Sequence, residues 1–117
     1  GENMSECVFC LIRDRKIPSK IVYEDDDVLA FNDIRPEAPV HVVIIPKKHI
    51  SSLNDISECD MHLIQSVFKA AQKISAACGI AESGYRIVSN CGKDAGQSVP
   101  HVHFHLLGGR DMQWPPG

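Results

Sequence analysis

Three histidines in strict alternation, His101, His103 and His105, are the residues of this 117-residue chain with the clearest capacity for chemistry. Alternate residues of a strand share a face, so the three imidazoles project one way, about 6.6 Å apart per two residues. Val102, Phe104 and Leu106 project the other way, into a core that would hold the spacing rigid. Such a face suits two chemistries. Two or three imidazoles can hold zinc and leave a coordination position for water. Alternatively, one neutral imidazole can attack phosphorus while its neighbours donate hydrogen bonds to the phosphoryl oxygens as charge develops. The spacing leaves both open. A second motif, Cys7-Val8-Phe9-Cys10, presents two thiols at a spacing that can bind zinc, form a redox pair or simply pack.

These groups need elements to position them. Residues 7–15 predict a short helix, with Val8, Leu11 and Ile12 at i, i+3 and i+4 and Pro18 ending the pattern. Ile21 to Glu24 and Val28 to Phe31 read as strands joined by a turn through Asp25, Asp26 and Asp27. Arg35 to Pro39, with two prolines, is a loop, and His41 to Ile45 is a strand apolar on both faces, hence internal to a sheet. From Ser57 the period changes. Met61, Ile64, Phe68, Ala71, Ile74 and Cys78 fall on one helical face, with Lys69, Gln72 and Lys73 opposite. Ser57 would cap that helix, with Asp60 completing a weak capping box, and Gly79 would end it. Tyr85 to Asn90 and Val102 to Leu107 are two further strands, joined by the glycine-containing segment 91–100. The class is α+β: a mostly antiparallel five-stranded sheet with one long and one short helix.

Composition bounds the rest. The length suits a single domain over residues 1–117, with 1–6 a flexible start and 112–117 a tail. Twelve basic against fifteen acidic side chains give a net charge of −3, which supplies no basic surface for sequence-independent nucleic-acid binding. The longest aliphatic run, Val42 to Ile45, is far short of the roughly 20 residues a membrane span needs. No basic region followed by an apolar core opens the chain, so no secretory signal is expected, and Met4 is a candidate start. Five cysteines, an odd number, in a chain able to bury a core argue against a disulfide framework and for a reducing compartment. The expected location is the cytoplasm, with the nucleus as a second.

The run His101-Val102-His103-Phe104-His105-Leu106-Leu107 resembles the histidine triad motif. The resemblance extends through Phe31-Asn32-Asp33-Ile34, Ala38-Pro39-Val40-His41, Ile45-Pro46-Lys47-Lys48-His49, Gly96-Gln97-Ser98 and Trp114-Pro115-Pro116-Gly117. It is most similar to the histidine triad nucleotide-binding branch, the purine nucleoside phosphoramidases. That resemblance implies His103 as the nucleophile on the α-phosphorus of an adenosine phosphoramidate, with water then releasing AMP and no catalytic cofactor. It implies that His105 contacts the phosphate, that His41 supports the triad, and that Ser98 and Gln97 lie near the phosphate and leaving group. Asp33 would accept the ribose hydroxyls; Phe9, Ile12, Ile17, Phe31 and Ile34 would wall the base; Asn90 and Gly96 would face the phosphate.

In some members a Cys pair joins the histidine after Pro-Lys-Lys and the first triad histidine, which implies Cys7, Cys10, His49 and His101 as ligands of a structural zinc. Two sulfurs and two nitrogens would close the sphere, and His101 could not then serve as a free acid or base. Family members are homodimers with joined sheets, which would place the 112–117 tail and Trp114 at the interface. Three activities follow as alternatives to phosphoramidate hydrolysis: hydrolysis of dinucleoside polyphosphates, a nucleotide-binding interaction module with incidental turnover, and a zinc hydrolase using all three strand histidines. Cys59, Cys78 and Cys91 have no comparable partners, with Cys78 expected to pack, and His62 reads as a solvated helix residue.

Overall fold

The computed structural model describes residues 6–117, so the expectation of a flexible start falls, for residues 1–5, outside the described residues. The element order is α1 (Val8–Arg13), β1 (Ile21–Glu24), β2 (Val28–Asn32), β3 (Val40–Pro46), α2 (Met61–Ala77), β4 (Tyr85–Val88) and β5 (Phe104–Gly108). The strands form one antiparallel sheet in the order β1-β2-β3-β5-β4. The acidic turn between β1 and β2 works through one carboxylate: Asp25 Oδ1 accepts from the main-chain N–H groups of Asp27 and Val28 at 2.8 and 2.9 Å.

Side-chain alternation gives the sheet two different faces. Val28, Ala30, Val42, Ile44, Phe104 and Leu106 bury one face beneath α2. Leu29, Phe31, Val43 and Ile45 occupy the other, beside α1, where Ile12 packs and Phe9 and Ile17 lean in. Leu106 is fully buried on β5, an inner strand between β3 and β4. Truncation there is therefore expected to cost about 3 kcal/mol. For Leu106→Ala, thermal unfolding followed by circular dichroism should show a fall in Tm of about 10 °C; an unchanged Tm would mean that the α2 face is not the main core.

Several expectations need correction. The strand from Tyr85 ends at Val88 instead of Asn90, and the strand after the glycine segment begins at Phe104 instead of Val102. Its ladder to β3 runs from Val40 opposite Gly108 to Ile44 opposite Phe104. Upstream, the Val102 N–H is taken by the Ile50 carbonyl at 2.6 Å, and Pro46 has no N–H to extend the ladder. The buried face of α2 is Leu63, Val67, Ala70, Ala71 and Ile74. Met61 and Phe68 are 52% and 46% exposed, and Cys78 is exposed and does not pack. Ala71 and Ile74 are buried as expected, and Leu63, Val67 and Ala70 join them in place of Met61, Phe68 and Cys78.

Ser57 does not cap α2. A 3-10 turn over Glu58–Asp60 intervenes, and the Ser57 side chain makes no capping hydrogen bond. The helix ends as expected: Gly79, at φ +75°, donates to Ala76 O and Ile80 donates to Ser75 O, the paired bonds of a Schellman ending. In α1 the inner residues are Cys10 and Ile12, while Val8 is exposed, and the helix stops before Arg15, which has φ +61°, ahead of Pro18. No helix among the described residues is long and apolar enough to cross a membrane.

Candidate active site

The site lies on the α1 face of the sheet. A cavity of about 390 Å³ is walled by Phe9, Ile12, Ile17, Phe31 and Ile34 and floored by Asp33, Ser98, His103 and His105. Of these, Ile34 is 90% exposed and stands at the rim. All nine residues were candidates from the sequence. Asn90, Gly96 and Gln97 lie outside this lining. Gln97 instead ties its own loop together: its Nε2 donates to the carbonyls of Ser51 and Val99, and its Oε1 accepts from the Gly92 N–H.

The three triad rings share the α1 face, as alternation requires, yet they serve separate groupings. His103 is buried, with Nδ1 2.8 Å from the His101 carbonyl oxygen. A carbonyl only accepts, so Nδ1 carries the hydrogen and the Nε2 lone pair is left to the cavity. The Phe9 ring meets the His103 ring edge-on at 5.0 Å. Burial pulls the His103 pKa below its ordinary value, against the opposing pull of the His101 carbonyl bond and the Asp33 charge. The ring is thus held neutral with one nitrogen available, the state a nucleophile needs.

His41 and His105 form a second grouping. The Glu37 N–H donates to His41 Nδ1 at 3.0 Å, which makes that nitrogen an acceptor and puts the hydrogen of the neutral ring on Nε2. His41 Nε2 lies 2.9 Å from His105 Nδ1 and donates to it, so His105 carries its own hydrogen on Nε2. Asp33 Oδ2 faces the pair, 3.4 Å from His41 Nε2 and 4.0 Å from His105 Nδ1. Burial, followed by the neighbouring His103 and His41, pulls the His105 pKa down. His105 is therefore a fixed hydrogen-bond donor at the cavity wall. The cluster Asp33, His41 and His105 also has metal-ligand spacing. Ligation through His41 Nε2 would force its hydrogen onto Nδ1, against the Glu37 N–H, so this arrangement is a hydrogen-bonded relay.

The third grouping joins the two motifs. His101 is fully buried, and its Nδ1 lies 3.4 Å from Cys7 Sγ, 3.5 Å from Cys10 Sγ and 3.2 Å from His49 Nδ1; Cys10 Sγ lies 3.3 Å from His49 Nδ1. Zinc at ordinary bond lengths separates tetrahedral nitrogen–nitrogen and nitrogen–sulfur ligand pairs by about 3.3 to 3.6 Å. These four distances are close to that range, and the residues could hold a metal ion. His101 Nε2 donates to the Pro46 carbonyl at 2.9 Å, which orients the ring as second-layer partners of metal-binding histidines do. Burial, together with Cys7, pushes the Cys10 thiol up to about 11, so without a cation it stays protonated.

In the metal-free chain, burial brings the His101 pKa down to about 4. The unfolded chain binds the proton at about 6.5, the folded chain only near 4, so stability is full above 6.5 and is lost as pH falls through that window. The lowered values of His103 and His105 act with the same sign. Chelator-treated protein taken from pH 7 to pH 5 should lose about 2 kcal/mol from His101 alone. Urea unfolding at the two pH values checks this, and equal midpoints would count against neutral buried rings.

Two contributors were missed in the sequence. Ser89 Oγ donates to the His103 carbonyl at 2.7 Å, and the Glu37 main chain orients His41. A serine on a strand end and an anonymous backbone amide carry no local signal of such roles.

Tautomer-fixed histidines lining an apolar cavity and a Cys/His cluster beside them, on a five-stranded antiparallel sheet, define a site built around alternating histidines. The chain belongs to the HIT domain family, which matches residues 14–112. It is 45% identical over 112 residues to an uncharacterized HIT-like protein of Synechocystis sp., covering 96% of this chain and 97% of that one. A HIT family hydrolase from Legionella pneumophila superposes with a TM-score of 0.93 at 50% identity, over 96% of this chain and all of that one. A histidine triad nucleotide-binding protein from Candida albicans superposes at 0.81 with 33% identity, over 94% and 83%.

Proposed function

We propose that this protein is a nucleotide hydrolase of the purine nucleoside phosphoramidase kind. His103 Nε2 attacks the α-phosphorus of an adenosine 5′-phosphoramidate, the new N–P bond forms as the P–N bond to the amine breaks, and the amine departs with a proton taken from solvent water. Water then attacks the phosphorus, the histidine–phosphorus bond breaks, and AMP leaves. The observation that carries this reading is the His103 Nδ1 bond to the His101 carbonyl, which leaves one nucleophilic nitrogen at the wall of the cavity. His105 Nε2–H stabilises the developing phosphoryl charge. Asp33 receives the ribose hydroxyls, Ser98 sits by the phosphate, and the apolar wall from Phe9 to Ile34 takes the purine. Relatives named as a hydrolase and as a nucleotide-binding protein support the class.

In this reading Cys7, Cys10, His49 and His101 hold a structural zinc that pins α1 to the sheet and takes no part in the chemistry. The protein acts as a homodimer: β4 is an edge strand free to extend the sheet across a two-fold axis, and Met61, Phe68 and the 80%-exposed Trp114 are apolar surface for a second copy to cover. The three strand histidines do not gather on one ion, because His101 joins the cysteine cluster and His103 belongs to neither metal-spaced group. That disfavours the zinc-hydrolase alternative.

The test uses an adenosine 5′-phosphoramidate carrying a fluorescent amine. Amine release by the wild type that survives chelation supports the reading. Release from a dinucleoside polyphosphate alone would shift the substrate class, and nucleotide binding without turnover of either would favour an interaction module.

A further inference from the structure

The chain leaving β5 crosses close over the loop that precedes β3. Gly109, at φ +91°, passes so near Pro39 that a Cβ at this position would lie 3.0 Å from the proline ring. The close crossing brings Arg110 over the loop, where its Nε donates to the Glu37 carbonyl at 2.8 Å. Its Nη1 donates back to the Asp111 carbonyl at 3.1 Å, which steadies the guanidinium. The Glu37 N–H, in the peptide group on the other side of the same Cα, donates to His41 Nδ1. Glu37 is thus held at both of its main-chain polar groups, its carbonyl by Arg110 at the surface and its N–H against His41, which in turn donates to His105.

We propose that Arg110 is a positioning residue for the site, holding the Glu37 main chain so that its N–H fixes the tautomer of His41 and, through it, the hydrogen that His105 presents to the cavity. The consequence of losing that lock follows from proton counting. With no N–H facing it, His41 can carry its hydrogen on Nδ1 and turn Nε2 into an acceptor. His105 must then donate from Nδ1, and its Nε2 faces the cavity as a lone pair. A lone pair repels phosphoryl oxygens where an N–H would bind them. Asp33 Oδ2, 3.4 Å from His41 Nε2, also favours the hydrogen there, so Arg110 shares the task and its loss is partial. The effect on turnover rests on the proposed phosphoramidase reading; the effect on the tautomers does not.

The experiment records long-range proton–nitrogen NMR spectra of the imidazoles in the free protein, alongside kcat and KM on the fluorescent phosphoramidate. Wild type should show His41 and His105 both as neutral rings with hydrogen on Nε2. Arg110→Ala should show a second tautomer population for both rings, with kcat lowered about fivefold, the equivalent of one ordinary hydrogen bond, and KM within about twofold. Arg110→Lys, which retains a donor for the Glu37 carbonyl, should recover part of the wild-type pattern, and Glu37→Gln, which retains the N–H, should keep it. Glu37→Pro, which removes that N–H, should shift the tautomers further than Arg110→Ala. A folded Arg110→Ala with wild-type tautomers overturns the proposal whatever its activity. Shifted tautomers in a protein whose wild type turns over no phosphoramidate would uphold the positioning role and sink the substrate reading.

Discussion

His103→Asn is expected to abolish phosphoramidate turnover, lowering kcat by about 10⁴-fold or more, while nucleotide affinity stays within a few fold. The magnitude reflects removal of the nucleophile itself, because the remaining residues stabilise charge but cannot form the covalent intermediate. Asparagine keeps a polar side chain in the space that the Phe9 ring and the His101 carbonyl enclose, so the fold should survive. Single-turnover assays with wild-type protein should also trap a nucleotide on the chain, detectable as an added nucleotide mass, and His103→Asn should not gain it. Turnover within tenfold of wild type would show that another group attacks phosphorus, and would remove the central argument from the fixed tautomer.

The second large effect concerns the metal. Zinc added to chelator-treated protein is expected to bind one ion per chain. At free zinc a thousandfold above the dissociation constant, it should stabilise the fold by about 4 kcal/mol, raising Tm by roughly 15 °C. The gain comes from four ligand bonds to the ion, net of the cost of deprotonating the thiols, and from tying α1 to the residues before β5. Cys10→Ser should lose most of this increment, whereas Cys59→Ser, at an exposed position, should keep it. Competition with a colorimetric chelator gives the stoichiometry, and scanning calorimetry gives the Tm. A protein that binds no zinc, or binds it with no change in Tm, would identify the four residues as a thiol–imidazole cluster that only packs.

The two effects are linked through one residue. His101 offers its ring to the cysteine cluster and its carbonyl to His103. The identity of His101 is thus explained by the metal-spaced group, and its main chain by the nucleophile.

Much of this was legible in the residues alone. The continuous apolar run of β3 marked it as internal to the sheet, and in β5 the alternation of histidine with apolar residues determined which side chains would face the core, because period-2 patterning leaves one choice of face. The histidine spacing determined that three imidazoles would share the other face, and Gly79 marked the end of α2. Legibility failed where packing chose between comparable faces. Met61 and Phe68 have the size of core residues, and Ala71 and Ile74 of the same expected face are buried, but the sheet took Leu63, Val67 and Ala70 beside them and left Met61 and Phe68 half-exposed. It failed again at Ser57, where a capping signal was diverted into a 3-10 turn.

By itself, then, the amino-acid sequence determined which side chains exist to do chemistry and which face of the sheet they occupy. Tertiary structure alone decided how they are divided: His101 with Cys7, 94 residues away in the chain, His41 with His105, and His103 with a backbone carbonyl. It also decided which nitrogen of each ring bears hydrogen, because the groups that set this, the Glu37 N–H and the His101 and Pro46 carbonyls, are main-chain atoms. Nearly every residue carries those atoms, so no side-chain pattern encodes them, and only the folded path of the chain brings them into reach.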